Sequence, residues 1–309
     1  MKLDRATGAI SHHTFADLPE LLHRGDTLVL NETRVIPARI FGITPGGAGV
    51  ELLVVRFAEG DVLAMVRGLK KLKNGMHVDF GNGLTGEFLR REGDMGVFRF
   101  ALPEDALKEW LRAHGNIPLP PYMEREEEPL DRERYQTVFA AKDGSSAAPT
   151  AGLHFTPELL KDLGEKGILH QRVCLHVGPG TFKPITENDI TRHTVDPEYA
   201  EVPRDLFDKL LETKRRGGRV VAVGTTVTRS LETAARHGGS YSGPTALYIS
   251  PGFEFRAVDG LITNFHLPKS SLLVLASAFA GRERILAAYA EAVKERYRFY
   301  SYGDAMLII

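Results

Sequence analysis

The strongest constraint on this chain is a change of pattern near residue 102. Upstream, residues 26–102 read as one short strand after another: Asp26 to Asn31, Ala38 to Ile43, Val50 to Phe57, Asp61 to Arg67 and Val97 to Leu102. These runs are rich in β-branched and aliphatic residues and are separated by glycine-containing turns. Many short strands with little helix predict a small barrel or a sandwich. From Pro103 onward, helix and strand alternate. Leu107, Trp110 and Leu111 share a helical face that Gly115 can end, and a proline-rich, acidic connector from Ile117 to Asp131 marks a boundary. Thr156-Pro157-Glu158 starts a helix, with the Thr hydroxyl as cap and Pro in the first turn. Val173 to Val177 and Arg219 to Gly224 read as strands, Asp205 opens a helix, and Thr225 begins another. A helical region from Ser270 to about Tyr297 is broken at Gly281, and Asp304 to Ile309 reads as a last strand. Such alternation implies a mixed or parallel sheet covered by helices, with the strand-rich block inserted into it.

Composition narrows the function classes. The 309 residues suit one large domain or two smaller ones. Lys plus Arg number 39 and Asp plus Glu 40, a net charge of −1, so this is no polybasic nucleic-acid binder; a polyanion must be met by a local patch. Cys174 is the one cysteine, which excludes an intramolecular disulfide and a thiolate metal cluster. The first residues are charged where a leader needs an apolar core, and the apolar run Ser270 to Gly281 is too short to cross a bilayer. The expectation is a cytoplasmic protein with no membrane partner, a monomer, and no bound metal, since no HExxH-type spacing occurs.

Four segments join Gly, Thr or Ser to a polar group beside a strand end: Gly144 to Thr156, His176 to Phe182, Val223 to Arg229 and Thr263 to Ser271. The helix start at Thr225-Thr226 can hold a carboxylate or phosphate, or can simply be a capped end. Gly178 and Gly180 let backbone approach a flat ligand, or make a structural turn. His154, His176, His193 and His266 lie near these segments and are acid–base candidates, although each taken alone reads first as a hydrogen-bonded structural residue. His193 and Glu198 form a further acid–base pair around Asp196. Basic residues cluster at Lys70-Lys71-Lys73, Arg90-Arg91, Lys214 to Arg219 and Lys294 to Arg298. No Rossmann glycine fingerprint or P-loop is present.

Several of these segments, read in order, resemble one family. They are Asn31 to Arg39 (NETRVIPAR), Arg134 to Phe139 (RYQTVF), Ala148 to Thr156 (APTAGLHFT), Leu175 to Gly178, Ala222 to Thr226, Thr263 to Pro268 (TNFHLP) and Tyr297 to Ile308 (YRFYSYGDAMLI). The resemblance is to the S-adenosylmethionine:tRNA ribosyltransferase-isomerases of queuosine biosynthesis, and it extends over nearly the whole chain. It implies an α/β, multi-domain fold: a larger α/β domain with a mixed sheet, residues 1–35 and 103–309, and a small inserted antiparallel β-barrel, residues 36–102. It implies transfer of the ribosyl part of S-adenosylmethionine to a 7-aminomethyl-7-deazaguanine at the tRNA wobble position, with rearrangement to epoxyqueuosine and release of adenine and methionine. S-adenosylmethionine is then a consumed substrate and no cofactor is expected. The RNA partner is the tRNA anticodon stem-loop, with Lys70 to Lys73, Arg90 and Arg91 as an RNA-facing candidate. The competing reading is a non-catalytic tRNA-binding paralogue.

Under this resemblance the catalytic candidates are His154, His266, His193 and Glu198. Thr225, Thr226 and Arg229 are expected to hold the methionine carboxylate, and Gly178, Gly180 and Thr181 to border the adenosine. Asn31, Arg34 and Arg39 are expected to order the site or reach RNA phosphate, and Thr150, Gly152, His176 and Asn264 complete the substrate-binding set. Two departures stand out. Family members commonly carry a segment ahead of the stretch matching Leu3-Asp4-Arg5, which this sequence lacks. The family pattern His-x-Met-His-x-Glu reads here as His193-Thr194-Val195-Asp196-Pro197-Glu198, with Asp196 in place of the second histidine. A carboxylate accepts hydrogen bonds but cannot act as a neutral imidazole, so that histidine's role does not transfer.

Overall fold

A computed structural model describes residues 1–58, 60–123, 125 and 127–309; Glu124 and Glu126 of the acidic connector lie outside the described residues. The chain divides into two compact units. One comprises Met1–Arg34, Gln136–Lys142 and Ala148–Ile309; the other comprises Val35–Tyr135 and Asp143–Ala147.

The first unit is built on a nine-stranded mixed sheet. Its centre is four parallel strands, Leu169–Leu175, Thr27–Asn31, Val220–Val223 and Gly260–Asn264, in that order. The last three are buried along their whole length, which is why they read as continuous apolar runs. Their side chains alternate between two cores. Val29, Ala222 and Leu261 face helices Arg204–Arg215, Thr225–Arg236, Ser271–Ala280 and Arg282–Lys294, whereas Leu28, Leu30, Val221, Val223 and Ile262 face helix Pro157–Glu165. Thr156 caps that last helix by accepting from the Leu159 amide at 3.2 Å, a contact worth about 1 kcal/mol. The expected break at Gly281 is present. Antiparallel pairings add Glu198–Val202 and Tyr241–Thr245 on one side and Ala305–Ile308 on the other; Lys2–Leu3 then pairs parallel with Ala305–Ile308 and antiparallel with Ile10–Ser11.

The second unit contains a closed barrel of six strands in the order Met95–Phe100, Asp61–Arg67, Gly49–Ala58, Arg39–Ile43, Met76–Asp79 and Thr85–Glu92. Every pairing in it is antiparallel, so the barrel replaces the sandwich alternative. Ile40, Leu52, Val54, Val62, Ala64, Val78, Phe88 and Phe98 fill it. Helix Glu104–His114 puts Leu107 and Leu111 into this same core. Residues 103–135 lie in the barrel's unit, where the apolar face of this helix finds its partners in the strands before it.

Candidate active site

The four parallel strands end at Leu175, Asn31, Val223 and Asn264, and three of the four chemistry-bearing segments follow directly. This carboxyl edge is where α/β sheets hold ligands, because the crossovers leave loops and helix N-termini facing one crevice. The polar residues gathered there form two clusters of different character.

The first cluster is saturated. Asn31 is buried, and its amide nitrogen donates to the Leu175 carbonyl at 2.9 Å and more weakly to Thr226 Oγ1 at 3.4 Å. Its oxygen accepts from the Leu175 and Thr33 amides at 3.0 and 3.2 Å. Asn31 thus ties two strand ends together, with its hydrogen-bonding capacity spent inside the protein. Glu198 does the same for the glycine-rich turn Pro179–Phe182: its Oε1 accepts from the Gly178 amide at 2.7 Å and from Thr181 Oγ1 at 2.6 Å. Its Oε2 accepts from the buried guanidinium of Arg229, which also donates to the Leu247 and Thr245 carbonyls at 3.1 and 3.2 Å. Gly180 lies against Asp196, where a Cβ would stand 2.1 Å from Oδ2, and Asp196 pairs with Lys183 at 2.9 Å. Gly224 adopts φ 98°, a conformation that admits glycine readily, as the strand Val220–Val223 turns into helix Thr225–Arg236. That helix is buried from Thr225 to Ala234; Thr228 and Ser230 donate to carbonyls four residues earlier, and Thr233 pairs with Thr245 Oγ1 at 2.8 Å.

The second cluster is open. Thr150 donates to Asn264 Oδ1 at 3.0 Å, and the Asn264 amide lies 3.4 Å from His154 Nε2 and 3.3 Å from the Tyr300 carbonyl. The His154 ring stacks on Phe15, with centroids 4.9 Å apart and planes 25° apart. It faces a cavity of about 450 Å³ that Thr14, Tyr297, Arg298 and Asp304 also line. Burial lowers the His154 pKa below the ordinary histidine value, with the Asp304 charge working the other way. The imidazole is therefore neutral near pH 7 and has a carboxylate nearby to steady it once protonated. Burial works against ionisation of Asp304 too, but the Arg298 amide at 2.7 Å and guanidinium at 3.0 Å hold its pKa below the usual value.

The remaining expected site residues separate. Desolvation pushes His266 down to about 4, and its Nε2 lies 2.7 Å from Thr263 Oγ1. His176 Nδ1 lies 2.8 Å from Thr33 Oγ1, with its ring stacked on Tyr199. His193 pairs with Glu187 at 3.0 Å, so the two members of the expected His193–Glu198 pair have different partners. Gly152 is buried in the turn Thr150–Gly152. Arg34 is exposed and donates to the Ala140 carbonyl at 2.8 Å. Arg39 belongs to the barrel unit, where it pairs with Glu51 at 2.7 Å. Sequence reading gave no role to Phe15 or Asp304 and placed Arg298 only in a basic cluster, although Arg298 and Asp304 fall inside the quoted Tyr297 to Ile308 motif.

A desolvated neutral histidine over a cavity at the carboxyl edge of a mixed sheet is the layout of an α/β enzyme. Comparison with known proteins makes this specific. The family model described as queuosine biosynthesis protein matches residues 1–308. A relative from Aquifex aeolicus, called S-adenosylmethionine:tRNA ribosyltransferase-isomerase, is 50% identical over 309 residues, covering all of this chain and 92% of that protein. One of the same name from Syntrophomonas wolfei is 49% identical over 316 residues, covering 99% of this chain and 89% of that protein. The crystal structure of S-adenosylmethionine tRNA ribosyltransferase from Thermotoga maritima has 40% sequence identity and a TM-score of 0.56, and covers 100% of this chain and 91% of that one. The chain belongs to the queuosine biosynthesis protein family, among its ribosyltransferase-isomerase enzymes.

Proposed function

We propose that this chain transfers the ribosyl moiety of S-adenosylmethionine to 7-aminomethyl-7-deazaguanine at the tRNA wobble position and rearranges it, giving epoxyqueuosine and releasing adenine and methionine. The observation that carries the reading is the match to the family over residues 1–308, shared with relatives whose names join S-adenosylmethionine, tRNA, ribosyl transfer and isomerisation.

The open cluster suits the first chemical demand. The sulfonium acidifies the neighbouring ribose carbon, and a base must take that proton; His154 is neutral, desolvated and cavity-facing. His266 has a strongly lowered pKa and is turned onto Thr263, so it is the weaker candidate. Adenine leaves with developing negative charge and calls for a donor. The N-terminal amides of helix Thr225–Arg236 suit the methionine carboxylate. Arg229 serves that end indirectly, through Glu198 and the turn that Glu198 holds.

The test is to incubate the protein with S-adenosylmethionine and tRNA carrying the 7-aminomethyl-7-deazaguanine, and to quantify products. Adenine and methionine in equal amounts are expected. S-adenosylhomocysteine as the product indicates a methyltransferase instead, and tRNA binding without adenine release indicates a non-catalytic binder; either sinks the proposal.

A further inference from the structure

On the barrel strand Arg39–Ile43 the pleat buries Ile40 and Gly42 and turns Arg39, Phe41 and Ile43 outward. Phe41 is 53% and Ile43 60% exposed. The surroundings of Phe41 are basic. The Arg39 guanidinium lies 5.2 Å from the Phe41 ring centroid, and Glu51 Oε1 fixes its direction at 2.7 Å. The register sets Glu51 opposite Phe41 and Arg67 opposite Glu51, with the Arg67 side chain 86% exposed. Ile43 pairs with Gly49, whose carbonyl accepts from Lys71 Nζ at 3.3 Å, and Lys70 is exposed beside it. Two carboxylates, Glu51 and Asp79 opposite Ile43, stand against the four cations Arg39, Arg67, Lys70 and Lys71.

We propose that this outer face of the barrel is an RNA-docking surface on which an unstacked base lies over Phe41, against the Arg39 guanidinium, while Arg67, Lys70 and Lys71 meet the phosphates on either side. The inference rests on the reading above that the chain acts on tRNA. Its chemistry is that of single-strand RNA binding, where an aromatic platform accepts the face of any base and flanking cations track the backbone. A second copy of the chain is the poorer occupant, because apposing two such faces brings like charges together and strips their water. Glu51 has a positioning part: it accepts from Arg39 at 2.7 Å and lies 3.9 Å from Arg67 on the next strand.

The experiment is fluorescence anisotropy of a labelled anticodon stem-loop RNA against the full chain and its variants, across a range of salt, with a blunt RNA duplex as control. Phe41→Ala is expected to weaken stem-loop binding about tenfold to a hundredfold, the size of one lost base stack, and to leave duplex binding unchanged. Phe41→Trp is expected to restore it. Arg67→Ala is expected to lower the slope of log affinity against log salt by about 0.7, one phosphate's share on a single strand, while Phe41→Ala leaves that slope as it was. Unchanged stem-loop affinity in Phe41→Ala overturns the proposal. So does equal weakening on stem-loop and duplex, failure of Phe41→Trp to recover, or a loss confined to self-association in sedimentation. The two readings fail separately. A parent protein that binds the stem-loop through Phe41 yet releases no adenine contradicts the proposed activity alone, whereas adenine release with an unaltered stem-loop KM in Phe41→Ala contradicts this surface alone.

Discussion

Two polar clusters share one sheet edge, and they differ in what their polar atoms have left to give. Around Asn31 and Glu198, each carboxylate oxygen and amide group has a protein partner, and the residues are buried. Around His154 the contacts are longer, the ring faces a cavity, and the pKa is displaced by burial. The lesson is that a Gly-, Thr- and His-rich motif marks the edge of a sheet without saying whether its polar groups hold the protein or a ligand. Saturated hydrogen bonding gives Asn31 and Glu198 a structural part, and its place on the cavity makes His154 the proposed chemical group.

The sharpest way to break this contrast is to remove one member from each side. His154→Ala is expected to slow single-turnover adenine release about 10²- to 10⁴-fold, the usual worth of a positioned base, with little change in melting temperature. Wild-type turnover in that variant removes His154 from the mechanism. Glu198→Ala strands the buried Arg229 guanidinium and is expected to cost about 3–5 kcal/mol of stability, read by denaturant unfolding; Glu198→Gln costs less because the amide oxygen still accepts. Asn31→Ala leaves the Leu175 amide and carbonyl unpaired and is expected to cost about 2–3 kcal/mol.

The pH dependence separates His154 from His266 by what it moves, turnover in one case and stability in the other. With His154 as the proposed neutral base, adenine release is expected to hold constant from alkaline pH down past ~6.5, the ordinary histidine value, and then to fall through its lowered pKa. A limb centred at or above the ordinary value contradicts the assignment. His266 acts on stability instead. Its folded pKa of about 4 lies below its unfolded value, so between the two the unfolded chain takes up a proton that the folded chain does not. Stability contributed by the neutral ring is full above the unfolded value and is lost as pH falls towards 4, by about 1–3 kcal/mol. His266→Asn is expected to flatten that acid loss, measured as melting temperature against pH.

Much of the fold was legible because it rests on local pattern. Buried strands such as Val220–Val223 are unbroken apolar runs, and helix Pro157–Glu165 announces itself with Thr156 and Pro157. The outer two strands on one side of the sheet were not legible. Glu198–Val202 carries two glutamates and Tyr241–Thr245 a glycine and a proline, residues that argue against a strand until neighbours supply the pairing. In the barrel, Met76–Asp79 and Thr85–Glu92 hide their alternation behind His77, Asp79, Glu87 and Arg90, which face outward. The site divides the same way. Motif spacing brought out His154, Asn264, Gly178 and Arg229 as positions. Their partners lie far off in the chain: Asn264 is 110 residues from His154, and Leu175 is 144 from Asn31. Only the fold shows that Arg229 donates to Glu198.

The most direct measurement therefore takes His154→Ala and Glu198→Gln side by side, recording single-turnover adenine release and thermal unfolding on the same preparations. A crossed result is predicted: His154→Ala melts like the parent and loses adenine release, whereas Glu198→Gln melts earlier and its folded fraction still releases adenine. Loss of adenine release in folded Glu198→Gln, together with retained release in His154→Ala, contradicts the account.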